Sequence, residues 1–130
     1  MLDGDGEEER LAKILVHVTH GPEHPTRAAL GFLVGRAAAD QGHDVTLFLA
    51  GDAVQLLRAE VLENLGGLGT VSLKESYEAL VDAGARFYLS GMSSKARGIG
   101  EPELQGKNAE MAMPSKLVEL ALEHDRMFTY

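Results

Sequence analysis

From Lys13 onward, short runs of branched apolar residues alternate with longer stretches in which apolar residues recur every three or four positions. Lys13-Ile-Leu-Val-His-Val-Thr19 is nearly continuous in apolar residues, the pattern of a strand covered on both faces. The turn-rich His20-Gly-Pro-Glu-His-Pro25 follows, and Thr26 is placed to cap a helix reaching about Gln41. Ala28, Ala29, Phe32, Leu33, Arg36 and Ala37 lie at helical spacing within it. Gly42 stops that helix, and Asp44 to Ala50 reads as a second buried strand. Gly51-Asp52 opens another helix, Asp52 as its N-cap, with Val54, Leu57, Val61 and Leu65 as its apolar stripe. After a break at Gly66-Gly-Leu-Gly69, Ser72 starts a helix that ends at Gly84, and Arg86 to Leu89 is a third strand. Ser90 to Gly100 reads as a polar loop with one or two helical turns. A fourth strand is expected near Glu110-Met-Ala-Met113, with Met111 and Met113 buried in it. Pro114 and Ser115 open a last helix to about His124, which complements the helix dipole there, and Met127 to Tyr130 adds an edge strand.

Roughly 30 residues separate the first two strands, the length of a crossover unit. Such connections are right-handed and generate a parallel sheet with helices on both faces. The expected fold is therefore α/β, a three-layer α/β/α sandwich with a mainly parallel sheet. Ligands in that architecture sit beyond the carboxyl ends of the strands. Three loops leave strands there: Thr19–Thr26, Gly51–Ala53 and Ser90–Gly98.

Composition narrows the function classes. A chain of 130 residues with 45% apolar and 25% charged positions is enough for one globular domain, placed at residues 11–130. Met1 to Arg10 carries Asp3, Asp5, Glu7, Glu8 and Glu9 against one arginine and reads as a flexible acidic arm. The net charge of −8 argues against a nucleic-acid or anionic-membrane partner, both of which require a basic surface. With no long apolar window and no basic, apolar leader, a cytoplasmic location is expected. The chain has no cysteine, which removes disulfides, thiolate metal sites and thiol nucleophiles.

Several motifs match in letters only. His20-Gly-Pro-Glu-His24 has the H-x-x-E-H spacing of inverted zinc peptidases, but Pro22 and Pro25 disfavour the helix that chemistry needs. Gly106-Lys107 lacks the phosphate-loop spacing, and Ser90-Gly-Met-Ser-Ser94 is not a nucleophile elbow. No metal or cofactor is expected. The loop after the third strand combines more signals: hydroxyls at Ser90, Ser93 and Ser94, the glycines Gly91 and Gly98, and the cations Lys95 and Arg97. With His20 facing it from the first loop, this set is a candidate pocket for a small anionic ligand. The plainer reading is a serine capping a short helix beside solvated cations. Other functions kept open are an enzyme using His20 or His24 as acid/base and a purely structural homo-oligomer.

Taken together, Lys13 to Thr19, Gly42-His-Asp-Val-Thr-Leu-Phe-Leu-Ala-Gly-Asp-Ala-Val54 and Gly84-Ala-Arg-Phe-Tyr-Leu-Ser-Gly-Met-Ser-Ser-Lys-Ala-Arg-Gly-Ile99 resemble the DsrE/DsrF-like family of intracellular sulfur-relay proteins. The resemblance implies a parallel sheet of about five strands and a homo-oligomer, a trimer or hexamer. Sulfur-carrying members hold a persulfide on a cysteine at the end of the third strand, and the resemblance places Ser90 there. Serine cannot carry sulfane sulfur, so the resemblance leaves a non-catalytic protein that binds a small anion or a partner at this loop.

Overall fold

The computed structural model describes residues 11–130; the expected arm at residues 1–10 lies outside them. The strands β1 (Lys13–Val18), β2 (Asp44–Leu49), β3 (Arg86–Ser90), β4 (Ala109–Ala112) and β5 (Arg126–Thr129) form one sheet in the order β4-β3-β2-β1-β5. Every neighbouring pair is parallel. The helices are α1 (Pro25–Asp40), α2 (Ala59–Asn64), α3 (Leu73–Asp82), α4 (Gly91–Ala96) and α5 (Pro114–Glu123).

This topology dictates the layers. Strands β1 to β4 step across the sheet in one direction, so right-handed connections keep their helices on one face. The connection from β4 to β5 returns over three strands, and the same hand places α5 on the other face. Pleating sorts the side chains accordingly. Val16, Val18, Leu47, Leu49, Phe87 and Leu89 join Phe32 of α1 and Leu80 of α3 in the main core. Leu15, Phe48 and Tyr88 point the opposite way and meet Leu120 of α5 in a smaller cluster. The central strands are apolar on both faces because both faces are covered, which is why they read as unbroken apolar runs. The five-stranded parallel α/β fold expected from the sequence is the fold observed.

Local departures have physical causes. Helix α1 begins at Pro25 rather than being capped by Thr26: proline's fixed φ suits the first helical position, where its missing N–H costs nothing. The Thr26 hydroxyl instead accepts a hydrogen bond from the Leu68 N–H at 3.0 Å. The helix expected from Gly51 through Leu65 is broken into a 3₁₀ segment, Gly51–Leu57, and α2, with Arg58 extended between them. Arg58 is held by the Glu103 carboxylate at 3.2 Å and the Arg97 carbonyl at 3.0 Å, long-range contacts that no local stripe reveals. The fourth strand lies at a sheet edge, so Met111 is only half-buried, and Met113 falls beyond it at 57% exposure. Among the described residues no helix is long and apolar enough to cross a membrane.

Candidate functional site

The loops leaving β1, β2 and β3 rest on one another through glycine. Gly21 is buried against the Asp52 carbonyl, where an added Cβ would sit well inside contact distance. Gly51, with φ +58, turns the chain out of β2 in a conformation that glycine adopts freely. Its N–H donates to Ser93 Oγ at 2.9 Å, tying the second loop to α4. The connections leaving β3 and β4 diverge here, one towards the main core and the other, through α5, to the opposite face. Such a divergence is where parallel sheets open a crevice.

Ser90 closes β3 at 8% exposure. Its Oγ accepts from the Ser93 N–H at 3.1 Å, so Ser90 is the N-cap of α4. Gly91 follows beside the Ala112 carbonyl. Ser94 is 1% exposed with no partner for its hydroxyl, and it points into the protein instead of the crevice. Lys95 is exposed, and Gly98, with φ +70, ends the helix. Arg97 turns back over the site: Nε donates to Asp52 Oδ1 at 3.0 Å and Nη1 to the Ser93 carbonyl at 3.1 Å. Asp52 is thus the counter-ion of Arg97, not the helix cap expected of it; the N-cap position is Ala50.

The structure therefore links Ser90, Ser93, Arg97 and Asp52 by hydrogen bonds, while Ser94 is buried and Lys95 is exposed. His20 lies on the first loop, its Nδ1 3.4 Å from Thr19 Oγ and its ring edge-on to His24 at 5.3 Å between centroids. Among the described residues no hydrogen bond joins either histidine to Ser90, Ser93, Ser94 or Arg97, and no carboxylate or imidazole accepts from those serine hydroxyls. His20 and His24 are not on one helical face: His24 precedes α1, and Glu23 accepts from the Gly21 N–H at 2.8 Å. Among the described residues no group of three or more His, Asp or Glu side chains could hold a metal.

Sequence reasoning missed two features. The Arg97–Asp52 pair spans 45 positions and carries no local signal. A groove of about 400 Å³, lined by Pro22, Pro25, Glu60, Val61, Asn64 and Leu65, lies behind the first loop. One titratable group on the strands themselves is perturbed. His17 of β1 packs edge-on against Phe48 at 5.9 Å with Nε2 unpartnered, and burial pulls its pKa below the ordinary 6.5.

Comparison with known proteins bears on this arrangement. A model described as the DsrE/DsrF-like family matches residues 12–130. No curated protein matches the chain. Among solved structures, the ychN protein from E. coli superposes with a TM-score of 0.74 at 22% identity, over 92% of this chain and 100% of that one. The protein of unknown function MTH1491 from Methanobacterium thermoautotrophicum gives 0.68 at 16% identity, over 92% and 99%. BT1422 from Bacteroides thetaiotaomicron, also of unknown function, gives 0.67 at 9% identity, over 92% and 95%. At these identities the structural likenesses show a shared fold.

Proposed function

The chain belongs to the DsrE/DsrF-like family, and from that premise we propose that it is a member that binds without transferring sulfur. In this reading the loop after β3 takes a small anionic ligand or a partner surface, and the protein works as a homo-oligomer. Ser90 is the observation that carries it. The position that the resemblance matches to the sulfur-carrying cysteine holds a hydroxyl, largely buried and engaged in capping α4, in a chain with no cysteine. A hydroxyl forms no persulfide. Among the described residues no carboxylate or imidazole accepts from the serines nearby, which favours recognition over nucleophilic chemistry.

Arg97 is the cation that would meet an anion, and Asp52 is its competitor. Their side chains are 31% and 42% exposed, and surface pairs of this kind contribute less than about 1 kcal/mol. An incoming anion can therefore displace Asp52 at little cost. Calorimetric titration with phosphate, sulfite and thiosulfate tests this. Binding is expected in the wild type, lost in Arg97→Ala and tightened several-fold in Asp52→Asn. If folded Asp52→Asn takes up none of these anions, the anionic-ligand form of the reading fails.

A further inference from the structure

The first loop, between β1 and α1, holds two imidazoles that the function proposed above does not use. The letters His20-Gly-Pro-Glu-His24 fail as a helical zinc motif, but the folded loop brings the two rings together by another route. The His24 N–H donates to the Gly21 carbonyl at 3.0 Å, closing a turn over Gly21 to His24. Pro22 takes the second position of that turn, which its fixed φ suits. Gly21 is wedged against the Asp52 carbonyl, and its N–H donates to Glu23 Oε1 at 2.8 Å. Pro25 then starts α1, and the Ala28 N–H donates to the His24 carbonyl at 3.1 Å. The backbone carrying both histidines is therefore fixed before any ligand arrives, which lowers the entropy lost on binding.

The ring chemistry suits a metal ion. Thr19 has one hydroxyl proton, and it goes to the Tyr130 carbonyl at 3.2 Å. At 3.4 Å from the same hydroxyl oxygen, His20 Nδ1 is then the donor, so Nδ1 carries the ring proton and Nε2 presents its lone pair. A histidine whose other nitrogen donates to a protein oxygen is the usual form of a metal ligand. His24 is exposed, so its ring turns about the Cβ–Cγ bond at little cost. The spacing fits as well. Zinc binds an imidazole nitrogen at about 2.0–2.1 Å, and that nitrogen lies roughly 1 Å from the ring centroid, so two rings on one tetrahedral ion have centroids about 5 Å apart. Here the centroids are 5.3 Å apart, with 78° between the ring planes.

We propose that His20 Nε2 and a ring nitrogen of His24 chelate one divalent transition-metal ion of the Zn²⁺, Cu²⁺ and Ni²⁺ class, the ions that imidazole suits, and do not take Mg²⁺ or Ca²⁺, which need oxygen ligands. Among the described residues no third His, Asp or Glu completes the set. Two protein ligands make an open, exchangeable site, its other positions left to water or an anion, and not a closed structural one.

Zn²⁺ titration of the whole protein in phosphate-free buffer, followed by NMR of the histidine ring C–H groups, tests this. The His20 and His24 signals are expected to shift together and saturate at one ion, while the same concentration of Mg²⁺ moves neither. In His24→Ala, with unchanged circular dichroism, the Zn²⁺ concentration that half-shifts the His20 ring is expected to rise at least about tenfold, a loss that even outer-shell changes bring. The His24 ring is expected to behave likewise in His20→Ala. The proposal is overturned if Zn²⁺ leaves both rings unmoved or shifts one alone, if Mg²⁺ shifts them equally, or if the His20 ring of folded His24→Ala responds as in the wild type. Arg97 and Asp52 take no part in the chelate, so the anion titration and this one can fail separately.

Discussion

Ser90 joins two roles in one side chain, ending β3 and capping α4, so its replacement separates them. Ser90→Ala removes the oxygen that accepts from the Ser93 N–H and is expected to cost about 1 kcal/mol, read as a lower denaturation midpoint with unchanged slope. Gly21 is a harsher case. A methyl group there meets the Asp52 backbone, which cannot rotate away as a side chain would, and Gly21→Ala is expected to cost about 1–3 kcal/mol in the same assay. His17 gives the fold an acid sensitivity. Unfolded, its imidazole takes a proton near pH 6.5; folded, burial holds the pKa below that. Between those two values the unfolded chain binds the proton and the native state does not. Stability contributed by this residue therefore falls as pH drops through 6.5, and levels off once the folded value is passed. Comparing midpoints for wild type and His17→Phe between pH 5 and 7.5 is expected to show a shallower slope in the variant; parallel slopes would remove His17 from the account.

Among the elements, α5 carries its face of the sheet almost alone. Leu120 is its one fully buried residue, packed on Leu15, Phe48 and Tyr88. Leu120→Ala is expected to cost about 2–5 kcal/mol and to loosen α5 before the rest, seen as early hydrogen exchange in residues 114–123. Strands and long helices were legible in the sequence because burial imposes a period on them: the runs at Lys13–Val18 and Asp44–Leu49 have no polar face, and Leu73, Ser76 and Leu80 fall on one side of α3. The break at Arg58 was not legible, because contacts with Glu103 and Arg97 decide it and the local apolar stripe runs straight through. The candidate site divides in the same way. The cap at Ser90 and the left-handed Gly98 follow from local rules, and the position after β3 follows from topology. The Asp52 counter-ion does not, since only the folded sheet brings residues 52 and 97 together. Pro25 and Thr26 show two local rules in competition, with proline's fixed φ setting the helix start two residues earlier.

For the whole molecule, the family's fold is retained without the thiol that gives the resemblance its chemistry, and the function proposed for it rests on the loop after β3. In that loop Arg97 pairs with a half-exposed carboxylate, Asp52 Oδ1 at 3.0 Å. The measurement that separates binding from transfer is the mass spectrum of the protein after incubation with thiosulfate, recorded first under native conditions and then denatured. The function proposed here predicts an assembly carrying a ligand mass that disappears on denaturation and is missing in Arg97→Ala. A ligand mass that survives denaturation, or one that Arg97→Ala retains undiminished, would contradict it.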